Sequence, residues 1–131
     1  MNRRALLLAG VASVRPPKRK DVIDVTKPDV IMVVLDDMRT SDWAALPKTR
    51  DLVDGTWYPH YVTPTPLCSP GRACLLTGQY AHNHGVRRNN DARVGGRKAF
   101  RPHEDHTLAT SLQAAGYYTV LAGKYFNGYR R

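Results

Sequence analysis

The chain has 131 residues, 42% of them apolar, which suits one domain with a modest core. No apolar run approaches the ~20 residues of a membrane-spanning helix, and near-average Gly and Pro with 24% charged residues exclude collagen-like, coiled-coil and wholly disordered classes. The formal charge of +9 is uneven: residues 1–20 hold six of the 20 basic residues and no acidic one, so from Asp21 onward the balance is only 14 to 11 and marks no specific nucleic-acid binder.

The leading segment reads as an address. Arg3-Arg4 precedes a short apolar stretch, Ala5 to Val14, with the charged start and length of an export signal, and the arginine pair suggests the twin-arginine route. A disordered basic arm is the other reading, because Arg15-Pro16-Pro17-Lys18-Arg19-Lys20 follows without a clear cleavage site. Residues 1–14 are therefore expected to be an export signal, 15–28 a basic linker and 29–131 the folded part.

Asp29-Val30-Ile31-Met32-Val33-Val34-Leu35 is a β-branched run of the kind that forms a strand buried on both faces of a parallel sheet. It stops at Asp36-Asp37, which places two carboxylates at the carboxyl edge where open α/β sheets hold their ligands. A short helix is expected over 47–53. Residues 57–62, broken by Pro59, suit an edge strand or an extended connection.

The prolines of Thr63-Pro64-Thr65-Pro66 enforce extended backbone. A helix is predicted next, with Ser69 as N-cap, Pro70 at its first position and Gly78 as its stop. This puts Cys68 at the helix's positive end and Cys74 inside it, as a small apolar residue. A spacing of six turns the two thiols apart and argues against a disulfide.

Residues 79–104 are rich in His, Asn, Arg and Gly and read as an irregular basic excursion. Within it His82 and His84 suit hydrogen bonding to substrate or loop better than metal ligation. Asn89 and Asn90, with Asn127 further on, suit turns in a polar loop. A helix capped by Asp105 or Thr107 and ended by Gly116, then a strand over 117–122, suggests the closing half of a βαβ crossover. That strand would lie parallel to 30–35 and bring Lys124 to the edge that carries Asp36 and Asp37.

A carboxylate pair, a thiol at a helix start and a strand-terminal lysine together describe a hard cation, a nucleophile beside it and positive charge facing an anion. The residues themselves resemble a known family. Cys68-Ser69-Pro70-Gly71-Arg72 followed by Leu76-Thr77-Gly78 resembles the sulfatase signature, Asp36-Asp37 resembles its first metal-ligand pair, and Gly123-Lys124-Tyr125 resembles its substrate-lysine segment. Ala81 to Val86, Asn89-Asn90 and Gly123 to Asn127 look most like the branch that removes 6-O-sulfate from N-acetylglucosamine units.

The resemblance implies an α/β fold, the N-terminal part of an alkaline-phosphatase-like sandwich with a mainly parallel sheet, incomplete in this chain. It implies a sulfuric ester hydrolase in which a formylglycine-generating enzyme converts Cys68 to formylglycine, whose hydrate attacks sulfur. Arg72 would stabilise that hydrate, Asp36, Asp37 and residue 68 would hold Ca²⁺ or Mg²⁺, and Lys124 would grip the sulfate. Asn89, Asn90, His84 and Asn127 would contact the sugar.

The expected partner is a sulfated carbohydrate or another sulfate ester, met in the periplasm or outside the cell. Gly71 departs from the family's usual Ser, and the second group of metal ligands has no counterpart here, so the chain alone is expected to be inactive. The rival readings are a related phosphonate or phosphate monoester hydrolase and a catalytically inactive polyanion-binding fragment, the latter recognised by salt-sensitive binding without turnover.

Overall fold

The computed structural model describes residues 5–8 and 27–129. The expected linker and most of the expected export signal lie outside these residues. Three short strands form one parallel sheet in the order β2-β1-β3: β1 is Ala5–Leu8, β2 is Ile31–Val33 and β3 is Thr119–Leu121. The two strands expected to be parallel are so, but they flank β1 instead of pairing with each other. The middle strand is the start of the stretch read as an export signal.

β2 corrects the expectation of burial on both faces. Ile31 and Val33 are 66% and 63% exposed, and Leu35 is exposed as well, whereas Met32 and Val34 are half-buried. The run therefore alternates. Side chains of successive strand residues point to opposite faces, and one of these faces carries no covering layer among the described residues.

The helices follow the local signals closely. After a 3-10 turn over Thr40–Ala45, α1 spans Pro47–Leu52 with proline at its first turn, where the missing N–H costs nothing. Residues 57–62 form no strand; Trp57 instead stacks on Trp43, with ring centroids 5.7 Å apart. α2 spans Cys68–Thr77, and Gly78 ends it in the left-handed conformation, φ 68°. Its N-cap is Leu67, not Ser69, so Cys68 is the first helical residue and Ser69 the second.

The excursion at 79–104 is more regular than expected. It holds α3 (Ala81–His84), α4 (Gly96–Phe100) and a 3-10 turn over Arg101–His103. α5, Leu108–Ala114, starts as expected at Thr107, whose hydroxyl accepts from the Thr110 amide.

The core lies between α2, α4 and the segment after β3. Ala73, Val86 and Phe100 are fully buried and Phe126 nearly so, with Leu76, Ala99 and Tyr125 packed around them. Phe100 and Phe126 stack at 4.2 Å between centroids, and Tyr125 meets both rings edge-on. Burial drives the Tyr125 phenol strongly upward from its usual range. This aromatic knot ties the segment carrying Lys124 to the helix carrying Cys68.

Candidate functional site

β2 ends in a turn that places both aspartates at one spot. Asp37 has φ 56°, a left-handed conformation that aspartate tolerates better than most residues. The turn sends Asp36 toward Arg72 and Lys124 and sends Asp37 toward Cys68, whose thiol donates to Asp37 Oδ1 at 3.9 Å.

Asp36 is the electrostatic hub. Its Oδ1 accepts from Arg72 Nη2 at 3.0 Å and its Oδ2 from Lys124 Nζ at 2.7 Å. The Lys124 ammonium, with Arg72 behind it, holds the Asp36 carboxyl below its ordinary range despite some desolvation. Lys124 is shifted upward in turn, chiefly by Asp36 and to a smaller extent by Cys68. Arg72 is only 7% exposed and also donates from Nη1 to the Lys124 carbonyl at 2.7 Å, while its Nε has no hydrogen-bond partner among the described residues.

Asp36, Asp37 and Cys68 each offer one ligand atom, all within 4.8 Å of one another. Two hard carboxylate oxygens suit Ca²⁺ or Mg²⁺, whereas a thiol does not; an oxygen at position 68 would complete a hard donor set. The donors present therefore fit such an ion in part, supplying two of the ~6–8 oxygens calcium takes, or three once position 68 carries an oxygen. These residues open onto a cleft of about 970 Å³ that runs along α2, with Tyr61 and Tyr80 among its walls.

Five expected residues thus converge: Asp36, Asp37, Cys68, Arg72 and Lys124. Others do not. Asn90 is exposed in the loop beyond α3, and no contact joins it to the cluster. Asn127 is half-buried with its amide oxygen accepting from the Ser69 hydroxyl at 2.8 Å.

His84 departs most from expectation. Residues 81–84 are helical, so His82 and His84, two apart, point to different sides, and His84 turns inward to 2% exposure. Its Nδ1 accepts from the Val86 amide at 3.0 Å and its Nε2 meets Cys74 Sγ at 3.3 Å. Both ring nitrogens are spent inside the fold, which removes His84 from the substrate surface.

Burial, and then His103, lowers the pKa of His84 from 6.5. Protonating Nδ1 would also set N–H against N–H. A histidine depressed in the folded state binds fewer protons there than in the unfolded chain. Its contribution is therefore present above about pH 6.5 and lost as pH falls through the folded value. The urea midpoint is expected to fall with acid in this window, and a His84→Gln variant is expected to lose that dependence.

Sequence reasoning missed Gly96 and the contact that Asn89 makes, its Oδ1 accepting from the Ser69 amide at 2.8 Å. Gly96 has φ 56°, and a Cβ there would lie 2.5 Å from the Asn127 carbonyl oxygen and 2.8 Å from that of Asn89. Gly71, where the family pattern has Ser, sits more loosely: a Cβ would meet the Thr65 carbonyl at 3.2 Å, a contact that requires that backbone to give by a few tenths of an ångström.

The family profile described as Sulfatase matches residues 28–131. The chain is 38% identical over 107 residues to an extracellular sulfatase SULF-1 homolog of Drosophila melanogaster, covering 79% of this chain and 10% of that protein. It is 33% identical over 109 residues to the N-acetylglucosamine-6-sulfatase of Homo sapiens, again 79% of this chain and 20% of that protein. Arylsulfatase G of Homo sapiens is 36% identical over 112 residues, with 79% and 21% covered. The chain thus spans between a tenth and about a fifth of the length of these relatives. No solved structure matches it significantly. No helix among the described residues is long and apolar enough to cross a membrane.

Proposed function

The chain belongs to the sulfatase family, and from that membership we propose that residues 29–131 are the nucleophile-bearing part of a catalytic domain that hydrolyses sulfate esters of sugars. The observation that carries this reading is the convergence of Asp36, Asp37, Cys68, Arg72 and Lys124 from three separate segments, the first four lining one cleft and Lys124 bonded to Asp36. The relatives named as N-acetylglucosamine-6-sulfatases support a 6-sulfated glucosamine as substrate class.

Cys68 is the precursor of formylglycine, whose hydrate supplies an oxygen nucleophile that a thiol cannot replace. Asp36, Asp37 and residue 68 hold a divalent cation, Ca²⁺ or Mg²⁺, which when bound acidifies a neighbouring hydroxyl and offsets the negative charge of the ester. Arg72 brings a permanent positive charge to the foot of α2. Lys124, bonded to Asp36 of the cleft wall, takes the sulfate oxygens. Relatives named as extracellular sulfatases support export.

A second reading draws on the surface. Arg87, Arg88, Arg93, Lys98 and Arg101 are all exposed, whereas Asp91 is engaged by the Arg93 and Val94 amides and Glu104 by Arg97. These exposed cations suit a polyanion, or a phosphate-bearing substrate, as well as a sulfated chain.

Peptide mass spectrometry after co-expression with a formylglycine-generating enzyme separates these roles. An aldehyde is expected at position 68 and an unmodified thiol at 74, since Cys74 is buried against His84. An aldehyde at 74, or none at 68 under conditions that convert a Gly71→Ser variant, would contradict the assignment.

A further inference from the structure

α2 begins without a cap of its own. Leu67, its N-cap residue, has no side-chain oxygen to offer, and the third helical residue, Pro70, has no N–H. The first intrahelical bond runs from the Gly71 amide to the Leu67 carbonyl at 2.9 Å. That leaves the Ser69 amide to find an acceptor elsewhere, in the turn that carries Cys68.

The acceptor comes from 20 residues downstream: Asn89 Oδ1 takes the Ser69 amide at 2.8 Å. From 58 residues downstream, Asn127 Oδ1 takes the Ser69 hydroxyl at 2.8 Å, and the Asn127 amide donates back to that hydroxyl at 3.3 Å. Ser69 itself is fully buried, so these are its partners in place of water. The two asparagines meet at Gly96, whose amide donates to the Arg88 carbonyl at 3.0 Å while the Arg97 amide donates to the Asn127 carbonyl at 3.0 Å. Any Cβ at 96 would strike both the Asn89 and the Asn127 carbonyls.

We propose that Asn89 and Asn127 are positioning residues, a cap supplied from two distant loops that fixes the first turn of α2 and thereby aims residue 68 at Asp37 and the cleft. This rests on the reading of Cys68 as the nucleophile's precursor. Two side chains that suggest sugar contacts in the sequence serve the helix instead, and Gly96 is the point where their loops lock together. Ser69 is the element through which both act, for it is the neighbour of Cys68 and is gripped by its amide and its hydroxyl at once. A cap lost from a helix start loosens the turn by an amount worth about a fivefold change in its opening equilibrium.

The test uses the full 131-residue chain with Cys68 unconverted. Exchange of the Ser69 amide is followed by NMR, and alkylation of the two cysteines by limiting iodoacetamide is followed by peptide mapping. Cys74 is buried and serves as an internal gauge of folding. In Asn89→Ala the Ser69 amide is expected to exchange about fivefold faster and half-buried Cys68 to alkylate faster by a similar factor, with Cys74 still slow.

Asn89→Asp keeps an acceptor at the same place and is expected to return both rates to near the parent values, which a purely packing role would not predict. Asn127→Ala and Ser69→Ala are expected to speed Cys68 alkylation equally, with no further gain in the double variant. Unchanged Ser69 exchange and Cys68 alkylation in Asn89→Ala, or an Asn89→Asp variant as loosened as Asn89→Ala, would overturn the proposal. Should Asn89→Ala unfold, shown by fast Cys74 alkylation, Ser69→Ala decides: unchanged Cys68 reactivity there refutes it. The readout is a thiol and an amide, so failure to form formylglycine would leave this result intact and would count only against the nucleophile's identity.

Discussion

Purified with residue 68 matured and Ca²⁺ present, the 131-residue chain is expected to hydrolyse neither an aryl sulfate nor a 6-sulfated glucosamine at an enzyme-like rate. Calcium takes ~6–8 oxygen ligands, and Asp36, Asp37 and residue 68 account for three positions. An ion so held acidifies a hydroxyl less and fixes its line of attack poorly, and an error of about 1 Å in placement costs around a hundredfold.

The packing points the same way. Val33, Leu35, Leu67, Leu75 and Tyr80 line the cleft and are all exposed, with Tyr61 and Val62 beside them at 77% and 78% exposure. A patch of this kind on a working surface calls for a covering partner. Turnover at an enzyme-like rate that disappears in Asp37→Ala would refute this expectation.

Asp36→Ala is expected to cost the fold about 2–3 kcal/mol, less than the ~3–5 kcal/mol for breaking a fully buried ion pair because Asp36 is 36% exposed and water screens it. Its loss strands Arg72, which is 7% exposed, beside Lys124 with no carboxylate between them. Asp37→Asn is the control. Asparagine tolerates the left-handed turn and leaves the Arg72 pair alone, so the change is expected to stay within about 0.5 kcal/mol. Urea unfolding of the two variants checks the contrast; equal midpoints would mean that the Asp36 triad is not a structural element.

What the sequence made legible were features set by neighbouring residues. The apolar run before Asp36, the proline-rich approach to α2, the glycine stops at 78 and 116 and the Thr107 cap all act within a few residues, and each element lies where those signals put it. The N-cap of α2 was off by two residues for a physical reason: Ser69 has cap chemistry, but its hydroxyl is taken by Asn127 and its amide by Asn89. Those bonds span 20 and 58 residues and leave no local trace. His82 and His84 misled because a four-residue helix between Tyr80 and Gly85 is too short to show a helical period. The exposure of β2 was hidden similarly, since a β-branched run encodes the wish for burial on both faces but not whether two layers are at hand.

Under the proposed function, residues 29–131 carry sulfatase chemistry through residue 68. The most direct measurement joins residues 29–131, with Cys68 matured, to the downstream part of an active N-acetylglucosamine-6-sulfatase and assays the folded chimera on 6-sulfated N-acetylglucosamine and on an aryl phosphate. Sulfate release that is lost in both Cys68→Ala and Asp37→Ala is the predicted result. A folded, matured chimera that releases no sulfate, or that prefers the phosphate ester, would contradict it.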